Sequence, residues 1–291
     1  MNSKRKIFSL IFLVLLTSVF AEIRPYVLIS NDAGTIRQEV ESAKYTLIEN
    51  GFEIVGEYEP FADRYVVAFT NEQLKLEAAK TDFGAYGAAL RIGFALVDST
   101  VQVAYTNPIY WHNAYRMESD TETLSALLIT TFGEGELFGS KKGEKIKKLR
   151  KYHYMLSMPY FDDPHELAEH ASYEEAVKAV EEGLAANKGG TSKVYRLDIP
   201  GKNETVFGVG MTTDTSSDAV IMRKIDKAEL KHTPYLCYEL VVSENKIYTL
   251  NGKFRIAISF PDLSMGQFTK IINAPGDIKA ALKAVAIKEK I

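Results

Sequence analysis

The chain has 291 residues, 46% of them hydrophobic and 25% charged, a globular composition that excludes disorder as its main state. A formal net charge of −3 disfavours nucleic acid as a partner, because there is no basic surplus to neutralise phosphates. Cys237 is the single cysteine, so no intrachain disulfide can form.

Lys4, Arg5 and Lys6 precede the apolar run from Ile7 to Phe20, and Ala21 stands before the first acid, Glu22. This order predicts a secretory signal peptide over residues 1–21. The alternative is an uncut anchor, but a spanning helix needs roughly 20 apolar residues and this run has 14. Cleavage moves the net charge from −3 to −6 and leaves an exported soluble protein, periplasmic or secreted, with no stable membrane span.

Pro25 to Ile29 reads as a first strand. Thr35 and Gln38 form a capping box, and Ile36, Val40, Ala43 and Leu47 make the stripe of a helix ending near Asn50. β-Branched and aromatic runs then predict strands at Phe52 to Tyr58, Tyr65 to Thr70, Ala88 to Val97 and Val101 to Thr106, with a loop after Pro108. Leu124, Leu127 and Leu128 mark a closing helix that stops at Gly133.

Residues 140–151 carry Lys141, Lys142, Lys145, Lys147, Lys148, Arg150 and Lys151, and read as a solvated basic linker. The second half repeats the order. It has a strand at His153 to Ser157, a box at Ser172 and Glu175, a helix stripe of Tyr173, Val177, Val180 and Leu184, and strands at Lys193 to Ile199, Val206 to Met211, Tyr235 to Val242 with Lys246 to Leu250, and Phe254 to Phe260. Ile278, Ala281 and Leu282 mark its last helix. VQVAYTNP (101–108) and FRIAISFP (254–261) match at one offset of 153, with Ala104 on Ala257 and Pro108 on Pro261.

The predicted fold is α+β: two tandem β-α-β-β-β-β-α repeats at 22–139 and 152–291, each an antiparallel sheet with helices on one face. The uncovered faces would meet as a pseudo-twofold intramolecular dimer. TIRQEVESAKYTLIENGFEIVGEY, YVVAFTN and VQVAYTNP resemble the domain-of-unknown-function family numbered 302, and the second half is similar but more divergent. The resemblance implies a TATA-binding-protein-like α+β fold that can dimerise, and it brings no catalytic residues.

Candidate chemistry falls in four places. Tyr110, Trp111 and His112 follow Pro108 and suit stacking on a flat ligand, whereas Asp262, Ser264 and Met265 follow Pro261 in a loop that offers a carboxylate, a hydroxyl and the flexible Gly266. The other reading is that Trp111 and Met265 plug the core. Glu239 is a carboxylate in an apolar strand and needs a partner, for which Arg255 or His232 is available; Arg91 is the comparable charge in the first half. That cluster is either an ion pair between sheets or a polar ligand site.

His153, Met155, His165 and His170 are candidate metal ligands, but the two histidines of the HELAEH run are five apart, not the i, i+4 of a zinc-protease helix. That segment reads as an exposed short helix after Pro164. No P-loop, dinucleotide fingerprint, C-x-x-C or G-x-S-x-G is present, so no cofactor is expected. The expected function is non-enzymatic binding of a small ligand or an exported partner protein at the junction of the two copies. The alternative is a metal-dependent enzyme or a copper- or zinc-handling protein.

Overall fold

The computed structural model describes residues 22–156 and 158–288; the signal peptide expected over residues 1–21 lies outside them. Strand β1 (Tyr26–Ala33) leads to α1 (Ile36–Glu49), where the Gln38 N–H donates to Thr35 Oγ1 and the Gln38 side chain returns to Thr35 N–H, a complete capping box. Its stripe of Val40, Ala43 and Leu47 is buried. The hairpin β2 (Glu53–Phe61) and β3 (Arg64–Thr70) follows, then α2 (Glu72–Ala79), the hairpin β4 (Leu90–Val97) and β5 (Thr100–Thr106), α3 (Pro108–Ala114), α4 (Thr121–Phe132) and the short strand β6 (Glu136–Phe138). These six strands form one antiparallel sheet in the order β2-β3-β4-β5-β1-β6.

After α5 (Ile146–Leu149) come β7 (His165–Glu169), α6 (Tyr173–Ala185), β8 (Thr191–Asp198), β9 (Glu204–Met211), α7 (Asp218–Ile225), β10 (Tyr238–Ser243), β11 (Lys246–Thr249), α8 (Gly252–Ser259), α9 (Met265–Phe268) and α10 (Ala274–Ala286). The second antiparallel sheet runs β8-β9-β10-β11-β7. Among the described residues, no helix is long and apolar enough to cross a membrane.

Four expectations are corrected. Residues 254–259 are helix α8, not a strand. Every residue from Phe254 to Ser259 is buried, so no polar stripe remains from which to read a helical period, and Asn251 caps the start by accepting from Lys253 N–H at 3.1 Å. The match of 101–108 with 254–261 therefore pairs a strand with a helix. Likewise, the loop expected after Pro108 is α3, capped by Asn107 accepting from Ile109 N–H at 3.0 Å, with Pro108 at its first position.

The strand expected at His153–Ser157 is irregular chain over its described residues, and the strand lies instead at β7, where a helix was expected. β7 is an edge strand that buries Leu167 and leaves Glu166 and Glu169 exposed, where both pair with Lys246 of β11. Finally, residues 140–151 are not a free linker. Ile23 and Glu144 exchange backbone hydrogen bonds, Leu149 is buried, and Arg150 donates to the carbonyls of Arg116 and Met117 at 2.9 Å.

One face of the first sheet is covered by α1 and α4, which close over Val67, Phe69, Ile92, Phe94, Val103 and Tyr105. Its other face meets the second half. The 3-10 turn Thr233–Tyr235 lies on β4, and reciprocally the 3-10 turn Gly84–Gly87 lies against β9 and β10. Glu204 fixes the latter by accepting from Ala85 N–H at 3.0 Å. Tyr58 of β2 lies over Gly210 and donates to Asp218 at 2.8 Å, while Tyr195 of β8 lies over Gly208.

Between these sheets β2 and β8 touch through backbone, because Gly56 has no side chain: a Cβ there would overlap the Val194 carbonyl. Gly56→Val should therefore push β2 from β8 and lower stability by about 1–3 kcal/mol. Urea denaturation measures this, and an unchanged midpoint would show that the two strands can separate without loss.

Candidate functional site

At the centre of the junction lies a buried charge cluster. Arg91 of β4 reaches Glu239 of β10, and Arg255 of α8 donates to the same carboxylate at 3.2 Å; the three side chains are 2%, 1% and 0% exposed. Arg91 also donates to the Pro234 carbonyl at 3.0 Å, and Arg255 to the carbonyls of Tyr235 at 2.6 Å and Cys237 at 2.9 Å. Burial opposes the charge on both guanidinium groups. Glu239 and the surrounding tyrosines together outweigh it, so both hold their protons more firmly than usual. The partner expected for Glu239 is thus Arg255 together with Arg91, whereas His232 pairs elsewhere.

The aromatic residues of α3 complete this cluster rather than a surface site. Trp111 is 2% exposed, with the guanidinium carbons of Arg91 and Arg255 at 5.8 and 5.4 Å from its ring, and its Nε1–H donates to the Pro25 carbonyl at 2.8 Å. Tyr110 donates to the Ile258 carbonyl at 2.8 Å. His112 is fully buried between Ser119 Oγ and the Gly87 carbonyl, and burial pushes it down to about 4, so it is neutral. None of the three is accessible to a ligand. The cause is α3 itself, which turns the segment after Pro108 inward.

Asp218 is the second buried acid. One oxygen accepts from Tyr58 Oη and Met211 N–H at 2.8 and 2.9 Å, and the other has no partner among the described residues. Burial raises it to about 7, against the pull of the Met211 amide, Tyr58 and Arg255. A raised carboxyl favours folding when protonated. Its contribution is complete below its unfolded value near 4 and is lost as pH climbs to about 7. Asp218→Asn should remove that slope, matching the parent at pH 4 and exceeding it at pH 8 by on the order of 4 kcal/mol. Parallel urea curves at the two pH values would show a shared slope if Asp218 were not its source.

The remaining predicted residues are scattered. Asp262 accepts from Lys141 N–H at 2.6 Å, Ser264 caps α9 with Gln267 as a capping box, and Met265 is exposed beside them. His153 stacks on Tyr160 at 4.3 Å, Met155 is exposed, His165 lies on β7, and His170 Nε2 contacts the Ala286 carbonyl at 2.9 Å. Among the described residues, no group of three or more His, Cys, Asp or Glu could hold a metal ion. Cys237 is buried, which with Glu239 nearby pushes its thiol up to about 12 and leaves it unreactive.

Asp262 does sit on the edge of a cleft of about 890 Å³ between the halves. One wall is residues 136–141 and the other is Ile225, Leu230, Phe260 and Leu263, with Arg24, Lys141 and Lys227 around it. His232 forms part of the wall. Its Nδ1 contacts Asp226 Oδ1 at 3.0 Å, its Nε2 faces the Gly139 carbonyl at 3.3 Å, and its ring stacks on Phe260 at 4.7 Å. The site thus combines an apolar wall, a strand edge and cations. Sequence reasoning named only Asp262 here as a binding residue, because the walls come from four distant segments. Protein-family models, curated proteins and solved structures were compared with the chain and none matches.

Proposed function

We propose that the protein is a non-enzymatic binding protein, exported, and built from two divergent copies of one unit that are joined as an intramolecular pseudo-dimer, with its ligand held in the cleft between them. The strand orders support the duplication: β2-β3-β4-β5-β1 and β8-β9-β10-β11-β7 place their strands in the same succession. Local detail agrees. Each half carries a helix between its third and fourth strands, α2 and α7; β2 and β8 each bulge after their second or third residue; Asp98 and Glu244 both take positive φ in the hairpin turn; and Asn107 and Asn251 both cap the helix that follows. This register replaces the offset of 153.

The observation that carries the binding reading is the cleft, whose walls come from both halves. Sites between packed units are a common location for ligands, and about 300–1,000 Å³ is their usual size. Native mass spectrometry on protein purified from its own compartment tests it. An organic mass that leaves on denaturation is expected, and it should be lost when Leu263→Arg fills the cleft. Metal at one equivalent per chain with no organic mass would overturn the reading in favour of a metal-handling protein.

A further inference from the structure

β6 pairs with β1 on one side and ends the six-stranded sheet on the other, so among the described residues no strand pairs with its outer backbone. That edge, continued by Gly139, Ser140 and Lys141, is one wall of the cleft. The open edge of the second sheet, β7, differs. It carries Glu166 and Glu169 held by Lys246, a charged and protected edge. On β6 the one charge is Glu136, which is exposed and makes no ion pair among the described residues, and Leu137 beside it is 39% exposed.

We propose, building on the cleft as the binding site, that its occupant is an extended acidic peptide segment that adds to the free edge of β6 as a further strand. An added strand would take up the unpaired N–H and C=O groups of β6, over roughly 10 Å for three residues at about 3.3 Å each. Its side chains would alternate, one set lying on Ile225, Leu230, Phe260 and Leu263 and the other facing solvent.

Charge selects acidic side chains. Among the described residues, Lys141 and Lys227 make no ion pair, and Arg24 holds Glu22 only at 3.7 Å. Two acids also line the cleft: Asp262 is already engaged by the Lys141 amide, and Glu136 lies exposed on β6 itself, so the three cations outnumber them. A second copy of β6 as the occupant is disfavoured, since it would bring Lys141 and Arg24 of both chains together.

Calorimetry on the full chain at low salt tests this with an acetylated five-residue peptide of alternating valine and glutamate. Two further peptides carry N-methyl groups, on the odd amides in one and on the even amides in the other. A strand bound by one edge should lose about tenfold or more in affinity in one methylation phase and little in the other, because only alternate amides face β6. Lys141→Glu with Lys227→Glu, both on exposed side chains, should weaken the parent peptide by about tenfold.

Equal binding of all three peptides would overturn strand addition, as would glutarate competing as well as the peptide. Either result leaves small-molecule binding in the cleft standing. If no peptide binds while the purified protein retains an organic mass, the peptide is again overturned and the cleft reading survives. If there is neither peptide binding nor a retained mass, both fall together.

Discussion

Glu239→Ala is expected to lower folding stability by about 3–5 kcal/mol. The expectation follows from what the carboxylate leaves behind. Arg91 and Arg255 are 2% and 0% exposed, and both direct donors at Glu239; without it two guanidinium groups remain buried beside each other with no counter-charge. Their bonds to the carbonyls of Pro234, Tyr235 and Cys237 hold the charges in place, so the pair cannot swing out to water without breaking the second half's approach to β4. Glu239→Gln keeps the shape and should cost less. Replacing all three by Met, Leu and Met should recover part of the loss, since buried ion pairs add little beyond what apolar packing supplies. Urea midpoints across these variants check the ordering. If Glu239→Ala were near neutral, the cluster would not be a clamp between the halves, and a site that binds a ligand anion beside the arginines would become the better account.

Much of the fold was legible where one face is buried and the other wet. α1 and α6 announce themselves through Thr35 and Ser172 caps and through stripes that the structure buries. The strands at 64–70, 100–106 and 204–211 follow from their β-branched and aromatic content. Legibility fails where that contrast vanishes. α8 is buried on every side, and β7 is short and charged because it is an edge. In α3 the signal was present, since Asn107-Pro108 is a helix start, but the aromatic run behind it reads as a surface loop.

The site divides in the same way. Glu239 stood out because a carboxylate in an apolar strand must find a partner; Arg255 was one of the two expected, whereas Arg91, read only as the comparable charge of the first half, joins it. The cleft could not be read from the chain. Arg24, residues 136–141, His232 and Phe260 to Asp262 meet only after the two halves pack, and no local pattern links them. His232 shows the cost of arguing by type alone: it was a candidate partner for Glu239, yet it lies six residues from Asp226, which takes both its backbone amide and its ring.

Trp111→Ala should cost about 3–5 kcal/mol, the second large effect expected. The indole fills the space between β1, α3 and the charge cluster, with Tyr26, Tyr110 and Tyr115 at 6.1, 5.7 and 5.7 Å and both arginines against its faces. Removing it opens an interior cavity, frees the Pro25 carbonyl, and takes from each guanidinium a ring that offsets its loss of water, leaving Arg255 with Tyr235 and Tyr238. Trp111→Phe should lose less, because a ring remains over the arginines. Trp111 does not line the cleft, so neither variant should alter binding there beyond the fall in folded fraction. That separation is the useful outcome. Measured by denaturation and by peptide calorimetry on the same material, a stability loss with unchanged affinity places Trp111 in the clamp alone. An affinity loss exceeding the loss of folded protein would mean that the clamp sets the width of the cleft.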